Sequence, residues 1–177
     1  MPLPFFTIGH SNRSIEDFVA LLTEPRVERI VDIRKMPRSR TNPQFNQETL
    51  PAALATCGIS YEHVAALGGL RGKGERLPRD VNGFWTNESF HNYADYALTA
   101  PFRAGFEHLL DEGTRTRCAI MCSEAVWWRC HRRIVTDYLI AQGKTVFHIM
   151  GRSRLEPARL TPGAAVQPDG TIIYPAA

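Results

Sequence analysis

Long apolar runs and closely spaced cysteines are both missing from this sequence. No apolar stretch approaches the ~20 residues that a membrane-spanning helix needs, and the N-terminus, MPLPFFTIGH, has no basic segment followed by a long apolar run. We therefore expect neither a signal peptide nor an association with a membrane. The 4 cysteines form no C-x-x-C pair and are too sparse for a secreted disulfide scaffold. These absences predict a cytoplasmic protein with reduced thiols.

A strong excess of charge is also lacking. The chain has 21 Lys and Arg against 18 Asp and Glu, which gives a net charge of +3. This falls short of the basic excess that identifies a nucleic-acid-binding protein by charge alone. The length of 177 residues and the apolar fraction of 44% are typical of one globular unit, so we predict a single domain over 1–177.

Short apolar segments alternate with amphipathic ones, and this alternation predicts the fold. The first helix is expected to begin at a capping box of Ser14 and Asp17, and the last to run from about Arg129 to Gln142. The order predicts an α/β fold with a mainly parallel sheet and helices on both faces, a Rossmann-like or rhodanese-like arrangement in three layers. A turn at Pro168-Asp169-Gly170 predicts a small C-terminal hairpin. About five strands are expected in the sheet, at 5–8, 29–34, 59–64, 117–122 and 145–150.

The connections have their own signals. The segment 65–88 is rich in glycine and basic residues and is predicted to be a lid or a binding loop. Gly113 is predicted to end the helix that precedes the fourth strand. In open α/β sheets, ligands bind beyond the carboxyl ends of the strands. Because a polar, basic or glycine-rich segment follows every predicted strand, we expect the functional site at that edge.

Residues 118–133, CAIMCSEAVWWRCHRR, hold the densest chemistry in the chain. Cys122 is predicted at a strand tip beside a helix N-terminus and near arginines, where a thiolate is favoured and can act as a nucleophile. His131 and Glu124 are the predicted acid–base pair. The alternatives are a buried histidine bonded to a backbone carbonyl and an exposed loop acid. The alternative for Cys122 is a small apolar residue that ends a buried strand.

An anionic substrate is the predicted ligand of this site. Phosphatase and sulfurtransferase loops place an arginine about five residues beyond a cysteine, and six residues separate Cys122 from Arg129 here. Arg34, Arg129 and Arg132 are expected to hold the anion by charge-assisted hydrogen bonds. We predict His10, Ser11 and Cys130 as further substrate-binding residues, and we assign no metal ligand and no cofactor.

Several linked motifs are spread along nearly the whole chain. They are Thr7-Ile8-Gly9-His10-Ser11, Val31-Asp32-Ile33-Arg34 with Pro37 and Ser39, Asn42-Pro43-Gln44-Phe45, Leu67-Gly68-Gly69, Cys122-Ser123-Glu124 and Cys130-His131-Arg132. Together they resemble one bacterial and archaeal family, the domain of unknown function 488. The resemblance extends from about Phe6 to Tyr174-Pro175, and it implies a single compact α/β domain in an intracellular setting without implying a reaction. Many relatives have alanine where this chain has Ser123.

Three hypotheses remain open at this stage, and none of them sets an oligomeric state. The leading one is an enzyme that acts on a small anionic or phosphorylated, nucleotide-like substrate. The second is a nucleic-acid-binding module without catalysis, which would use a basic rim of Lys35, Arg38, Arg40, Arg71, Lys73 and Arg76. The third is a metal-binding protein, with zinc held by Cys122, Cys130, His131 and His10.

Overall fold

The computed structural model of the protein describes residues 2–69, 71–72, 74 and 77–177. Strands and helices alternate along the first two thirds of the chain, as the apolar pattern predicts. The helices are α1 Ile15–Thr23, α2 Leu50–Ala55, α3 Glu88–Tyr96, α4 Ala100–Arg115 and α5 Arg132–Ala141. The strands are β1 Phe5–Gly9, β2 Arg29–Asp32, β3 Ser60–His63, β4 Cys118–Cys122, β5 Val146–Gly151, β6 Arg154–Pro157, β7 Ala165–Val166 and β8 Ile172–Ile173.

Six of the described strands form one sheet in the order β3-β2-β4-β1-β5-β6. All neighbours are parallel except β5 and β6, which are antiparallel. The predicted mainly parallel α/β fold is therefore confirmed, with β6 as an edge strand that the sequence did not predict. Strands β7 and β8 pair antiparallel in a separate two-stranded sheet. Gly170 has a φ of 87° in the turn between them, which confirms the C-terminal hairpin.

The strands bury side chains on both faces of the sheet, because successive residues point to opposite sides. In β4, Cys118 and Ile120 pack with the core under α3, α4 and α5. Ala119 and Met121 pack with the core under α1 and α2. The predicted three-layer arrangement is thus confirmed. No helix in the described part of the chain is long and apolar enough to cross a bilayer.

Two helix boundaries show how local chemistry and packing compete. The predicted cap is confirmed at α1, where the Ser14 side chain accepts a hydrogen bond from the Asp17 N–H at 3.1 Å. The prediction that Gly113 ends a helix is wrong, because α4 continues to Arg115. A Cβ atom at Gly113 would lie 2.0 Å from the ring of Phe5. This glycine therefore permits close packing of a helix on β1 and does not act as a stop signal.

Candidate functional site

A cleft of about 730 Å³ opens at the carboxyl ends of the parallel strands. Its walls come from the loops after β1, β2 and β4 and from residues near α3. The sequence predicts nine site residues, and eight of them line the cleft together: His10, Ser11, Arg34, Cys122, Glu124, Arg129, Cys130 and His131. The ninth, Arg132, does not line the cleft, because it is buried with 1% of its surface exposed.

The loops after β1 and β4 are joined directly. Beyond the paired strands, the His10 N–H donates to the Cys122 carbonyl at 2.9 Å, and the Ser11 N–H donates to the Ser123 carbonyl at 3.0 Å. A Cβ atom at Gly9 would lie 1.7 Å from the Glu124 carbonyl oxygen, so only glycine lets the loop after β4 cross the tip of β1. This crossing places Ser11 and Cys122 in one cleft although more than one hundred residues separate them in sequence.

Cys122 and Cys130 form a close pair of free thiols. Their Sγ atoms are 2.9 Å apart, with the Cys130 thiol donating to Cys122. Burial raises the pKa of Cys122, but the hydrogen bond from Cys130 and the charge of Arg132 outweigh burial, and the net shift is downward. Burial, with the hydrogen bond to Cys122, holds the pKa of Cys130 well above its ordinary value. The pair is therefore suited to hold one proton, with Cys122 as the thiolate.

Arg132 is a buried cation without a carboxylate partner among the described residues. Its Nη2 donates to the carbonyl oxygens of Glu124 and Ala125 at 3.1 and 3.3 Å. Its Nε and Nη1 atoms are buried and have no hydrogen-bond partner within the described residues. An unpaired buried charge is costly. A Cys122 thiolate would offset that cost, because the Arg132 charge acts on Cys122.

His131 contacts Cys130, whereas no hydrogen bond joins it to Cys122 within the described residues. Its Nε2–H donates to the Ile33 carbonyl at 2.7 Å, so Nδ1 is the unprotonated nitrogen, and it lies 3.6 Å from the Cys130 Sγ. Burial is the main cause that lowers the pKa of His131 to about 4. At pH 7 the imidazole is neutral, and its unprotonated Nδ1 lies beside the Cys130 thiol.

Arg34 is held rigidly at the end of β2. Its Nε and Nη2 atoms donate to the two carboxylate oxygens of Asp32 at 2.9 and 2.7 Å, and Nη2 also donates to the Phe45 carbonyl at 2.7 Å. Its Nη1 donates to Nε2 of His10 at 3.3 Å. The Tyr61 hydroxyl donates to Asp32 as well. These three partners, Asp32, the Phe45 carbonyl and His10, fix the orientation of the guanidinium at the wall of the cleft.

Asp32 and Tyr61 were absent from the predicted site. A carboxylate at a strand end, two residues before an arginine, is the signal that could have identified Asp32, because that spacing lets the two side chains meet. Tyr61 follows from the register of the sheet: β2 and β3 pair in parallel with Asp32 opposite His63, so Tyr61 reaches Asp32 from the neighbouring strand. Strand pairing of this kind cannot be read from the sequence.

The described lining of the cleft is mainly cationic. Arg34, Lys35, Arg38 and Arg129 face it, against one carboxylate, that of Glu124. Arg129 is exposed and has no ion-pair partner in the part of the chain that the structure describes, whereas Arg38 pairs with Glu48 at 3.1 Å. The N–H groups of Ser123, Glu124 and Ala125 donate to no backbone carbonyl within the same residues. Cations and free amides of this kind favour an anion.

The two alternative hypotheses find less support. Among the described residues, no three His, Cys, Asp or Glu side chains are arranged to hold a metal ion. Of the basic rim, Lys73 and Arg76 lie outside the described residues. Arg71 donates to the carbonyl oxygens of Ala65 and Gly68 and stacks on the Tyr96 ring at 4.0 Å, so its guanidinium is already engaged.

Comparison with known proteins gives one match. The family model described as domain of unknown function DUF488 matches residues 14–139. This range includes β2, β3, β4 and most of α5, and with them Arg34, Cys122, Cys130 and His131. Neither a curated protein nor a solved structure matches the chain.

Proposed function

Because the chain belongs to the domain of unknown function DUF488 family, whose description names no reaction, we propose a function from the cleft itself. The protein is an enzyme that binds a small anionic or phosphorylated substrate and attacks it with Cys122. One observation carries this proposal: the Cys122 thiol lies at the carboxyl end of β4, in a cleft lined by four cations and one carboxylate.

Substrate binding rests on two kinds of cation. Arg34 is pre-oriented by Asp32 and His10, so its Nη1 offers a donor at a fixed position. Arg129 is exposed and free to close on a bound anion. Phe90 lines the same cleft and offers an aromatic face, which favours a nucleotide-like substrate.

The chemistry begins with the Cys122 thiolate. It attacks the electrophilic phosphorus of a phosphate ester, a sulfur–phosphorus bond forms, and the ester oxygen leaves with the electron pair of the broken bond. That oxygen takes a proton from solvent, and the Glu124 carboxylate, which is partly exposed in the cleft, is left to act as a base. Water then attacks phosphorus, its proton passes to Glu124, and the Cys122 thiolate is released. His131 supports this cycle indirectly by contacting Cys130.

The test is a comparison of two substitutions in the same strand. Cys122→Ser is expected to abolish hydrolysis of an aryl phosphate in a protein that keeps its fold, as measured by circular dichroism. Cys118→Ser is the matched control, because Cys118 is equally buried in β4 but packs in the core away from the cleft. Full turnover by Cys122→Ser would remove the nucleophile role.

Inorganic phosphate provides a second readout that needs no turnover. It is expected to protect Cys122, but not the exposed Cys57, from iodoacetamide in the wild-type protein. Absence of protection, together with nucleic-acid binding that weakens steeply with salt and survives Cys122→Ser, would favour the nucleic-acid-binding module instead.

A further inference from the structure

We propose that Cys122 and Cys130 form a dithiol that reduces a hydroperoxide by two electrons and closes to an intramolecular disulfide. This activity goes beyond the proposed hydrolysis. It uses the same nucleophile, but it depends on Cys130 and does not require the anionic substrate.

The first argument is proximity. The two Sγ atoms are 2.9 Å apart, and a disulfide bond of ~2.05 Å requires them to approach by only about 0.9 Å. Cys130 lies in extended backbone, with φ −140° and ψ 153°, between the turn Trp127–Arg129 and α5. Since Cys130 precedes the helix, its side chain can rotate towards Cys122 without moving α5.

The second argument is that the other two thiols are excluded from the reaction by position. Cys118 is buried in the core on the α4 side of the sheet, where its Sγ contacts the Thr116 hydroxyl at 3.3 Å. Cys57 is exposed beyond the end of α2. Cys122 and Cys130 both line the cleft, which a small oxidant can enter. The fold therefore selects one pair.

The third argument is that the surrounding groups divide the roles of attacking and resolving sulfur. Arg132 acts on Cys122 as a buried positive charge, and Cys130 carries the proton. The Arg132 N–H donates to the Cys130 Sγ at 3.3 Å, and the unprotonated Nδ1 of His131 lies 3.6 Å from the same sulfur. Cys130 thus has an amide donor that stabilises negative charge on its sulfur when it attacks.

The reaction balances in two steps. The Cys122 thiolate attacks the terminal oxygen of the hydroperoxide, the oxygen–oxygen bond breaks, and the alcohol leaves after taking a proton from solvent. Cys122 is then a sulfenic acid. The Cys130 thiol attacks that sulfur, the sulfur–sulfur bond forms as the sulfur–oxygen bond breaks, and the departing hydroxide takes the Cys130 proton and leaves as water. The two thiols supply two electrons, the peroxide is reduced to alcohol and water, and an external dithiol restores both thiols.

The test uses the full chain carrying Cys118→Ser, so that the tryptic peptides are unambiguous. Cleavage after Arg117, Arg129 and Arg132 places Cys122 in one peptide and Cys130 in another. The reduced protein is treated with one equivalent of hydrogen peroxide, blocked with N-ethylmaleimide and digested. We expect a linked pair of these peptides, with a mass lower by two hydrogen atoms than the sum of the reduced peptides, and loss of the link after dithiothreitol.

Cys130→Ser, added to the Cys118→Ser background, tests the resolving role. This variant is expected to stop at a Cys122 sulfenic acid that dimedone traps. Two results in the protein that retains both Cys122 and Cys130 would overturn the proposal. One is Cys122 oxidised to sulfinic acid while Cys130 stays a free thiol. The other is a set of disulfide links formed only through Cys57. This test is independent of the proposed hydrolysis. A linked peptide without phosphate protection of Cys122 would support the dithiol and contradict the anion-binding site. Phosphate protection without a linked peptide would support the anion-binding site and contradict the dithiol.

Discussion

Arg132 places a buried positive charge near Cys122, and its guanidinium has no carboxylate partner within the described residues. A buried guanidinium is destabilising unless an anion compensates it. The pair of Cys122 and Cys130 can supply such an anion, because the two thiols are suited to share one proton. We therefore expect Arg132, which the sequence assigns to the substrate, to act as the counterion of a Cys122 thiolate.

Removing that charge should raise the pKa of Cys122. Arg132→Met is expected to shift the pH profile of Cys122 alkylation upward by about 1 unit, because the thiolate loses a buried cation that favours it. The profile is measured by mass spectrometry at a fixed time over a pH series. Arg133→Met is the matched control, since Arg133 lies next in α5 but contacts Thr161 and the Trp85 ring. An unchanged Cys122 profile in Arg132→Met would exclude the counterion role.

The pairing of Asp32 with Arg34 should be important for stability. Asp32→Asn leaves a buried guanidinium without its carboxylate and is expected to lower the free energy of unfolding by about 3–5 kcal/mol. Urea denaturation monitored by circular dichroism measures the change. Glu48→Gln is the control, because it breaks an exposed ion pair with Arg38 and should cost close to nothing. Equal effects of the two substitutions would contradict the argument.

Gly9 should tolerate no side chain. Gly9→Ala places a methyl group 1.7 Å from the Glu124 carbonyl, which is backbone and cannot rotate away. We expect a loss of about 1–3 kcal/mol in the free energy of unfolding, together with displacement of the loop that carries Cys122. Gly72→Ala is the control, since a Cβ atom there meets no atom of the described residues within 4 Å. Equal stability and equal Cys122 reactivity in Gly9→Ala and Gly72→Ala would contradict the close crossing of the loop after β4 over the tip of β1.

Stability should fall as the solution is acidified from neutral pH. His131 has its pKa lowered from 6.5 to about 4, mainly by burial, and His148 has its pKa lowered to about 3 for the same reason. Because the unfolded chain binds these protons more readily, both histidines contribute stability above pH 6.5. That contribution is lost as the pH falls towards the folded-state values.

The measurement is the free energy of unfolding in urea at several pH values between 7 and 4. In His131→Gln, unfolding should take up about one proton fewer, so the free energy of unfolding should change less steeply with pH over this interval. His108→Gln is the control because His108 is exposed on α4. A steeper dependence in His131→Gln, or no difference from wild type, would argue against a neutral, buried His131.

The fold and most of the site could be predicted because they depend on periodic signals. The apolar runs of β1 and β4 and the capping box at Ser14 each have a local cause, and parallel strands bring their carboxyl ends together whatever the loops contain. Strand β6 escaped prediction because Arg154–Pro157 lies at a sheet edge and is polar and largely exposed, so it has no apolar pattern.

Other features depend on tertiary contacts that local patterns do not contain. Arg132 looks like a surface residue at a helix start, yet the loop after β4 folds over it. Cys122 and Cys130 lie eight residues apart, and only the path of the intervening turn brings their sulfur atoms together. Gly113 has the sequence signature of a helix end, but the ring of Phe5 decides its role. In each case a long-range contact overrides a local preference.

The order of the strands also constrains how the chain can acquire its structure during synthesis. Strand β1 has β4 and β5 as its neighbours, and both lie more than one hundred residues further along the chain. A nascent chain that ends before Cys118 can pair β2 with β3, but it leaves the apolar strand Phe5–Gly9 without a partner. Long-range pairing of this kind is slow and exposes aggregation-prone edges. The segment that carries Cys122 and Cys130 is therefore also the one whose emergence from the ribosome permits the sheet to close.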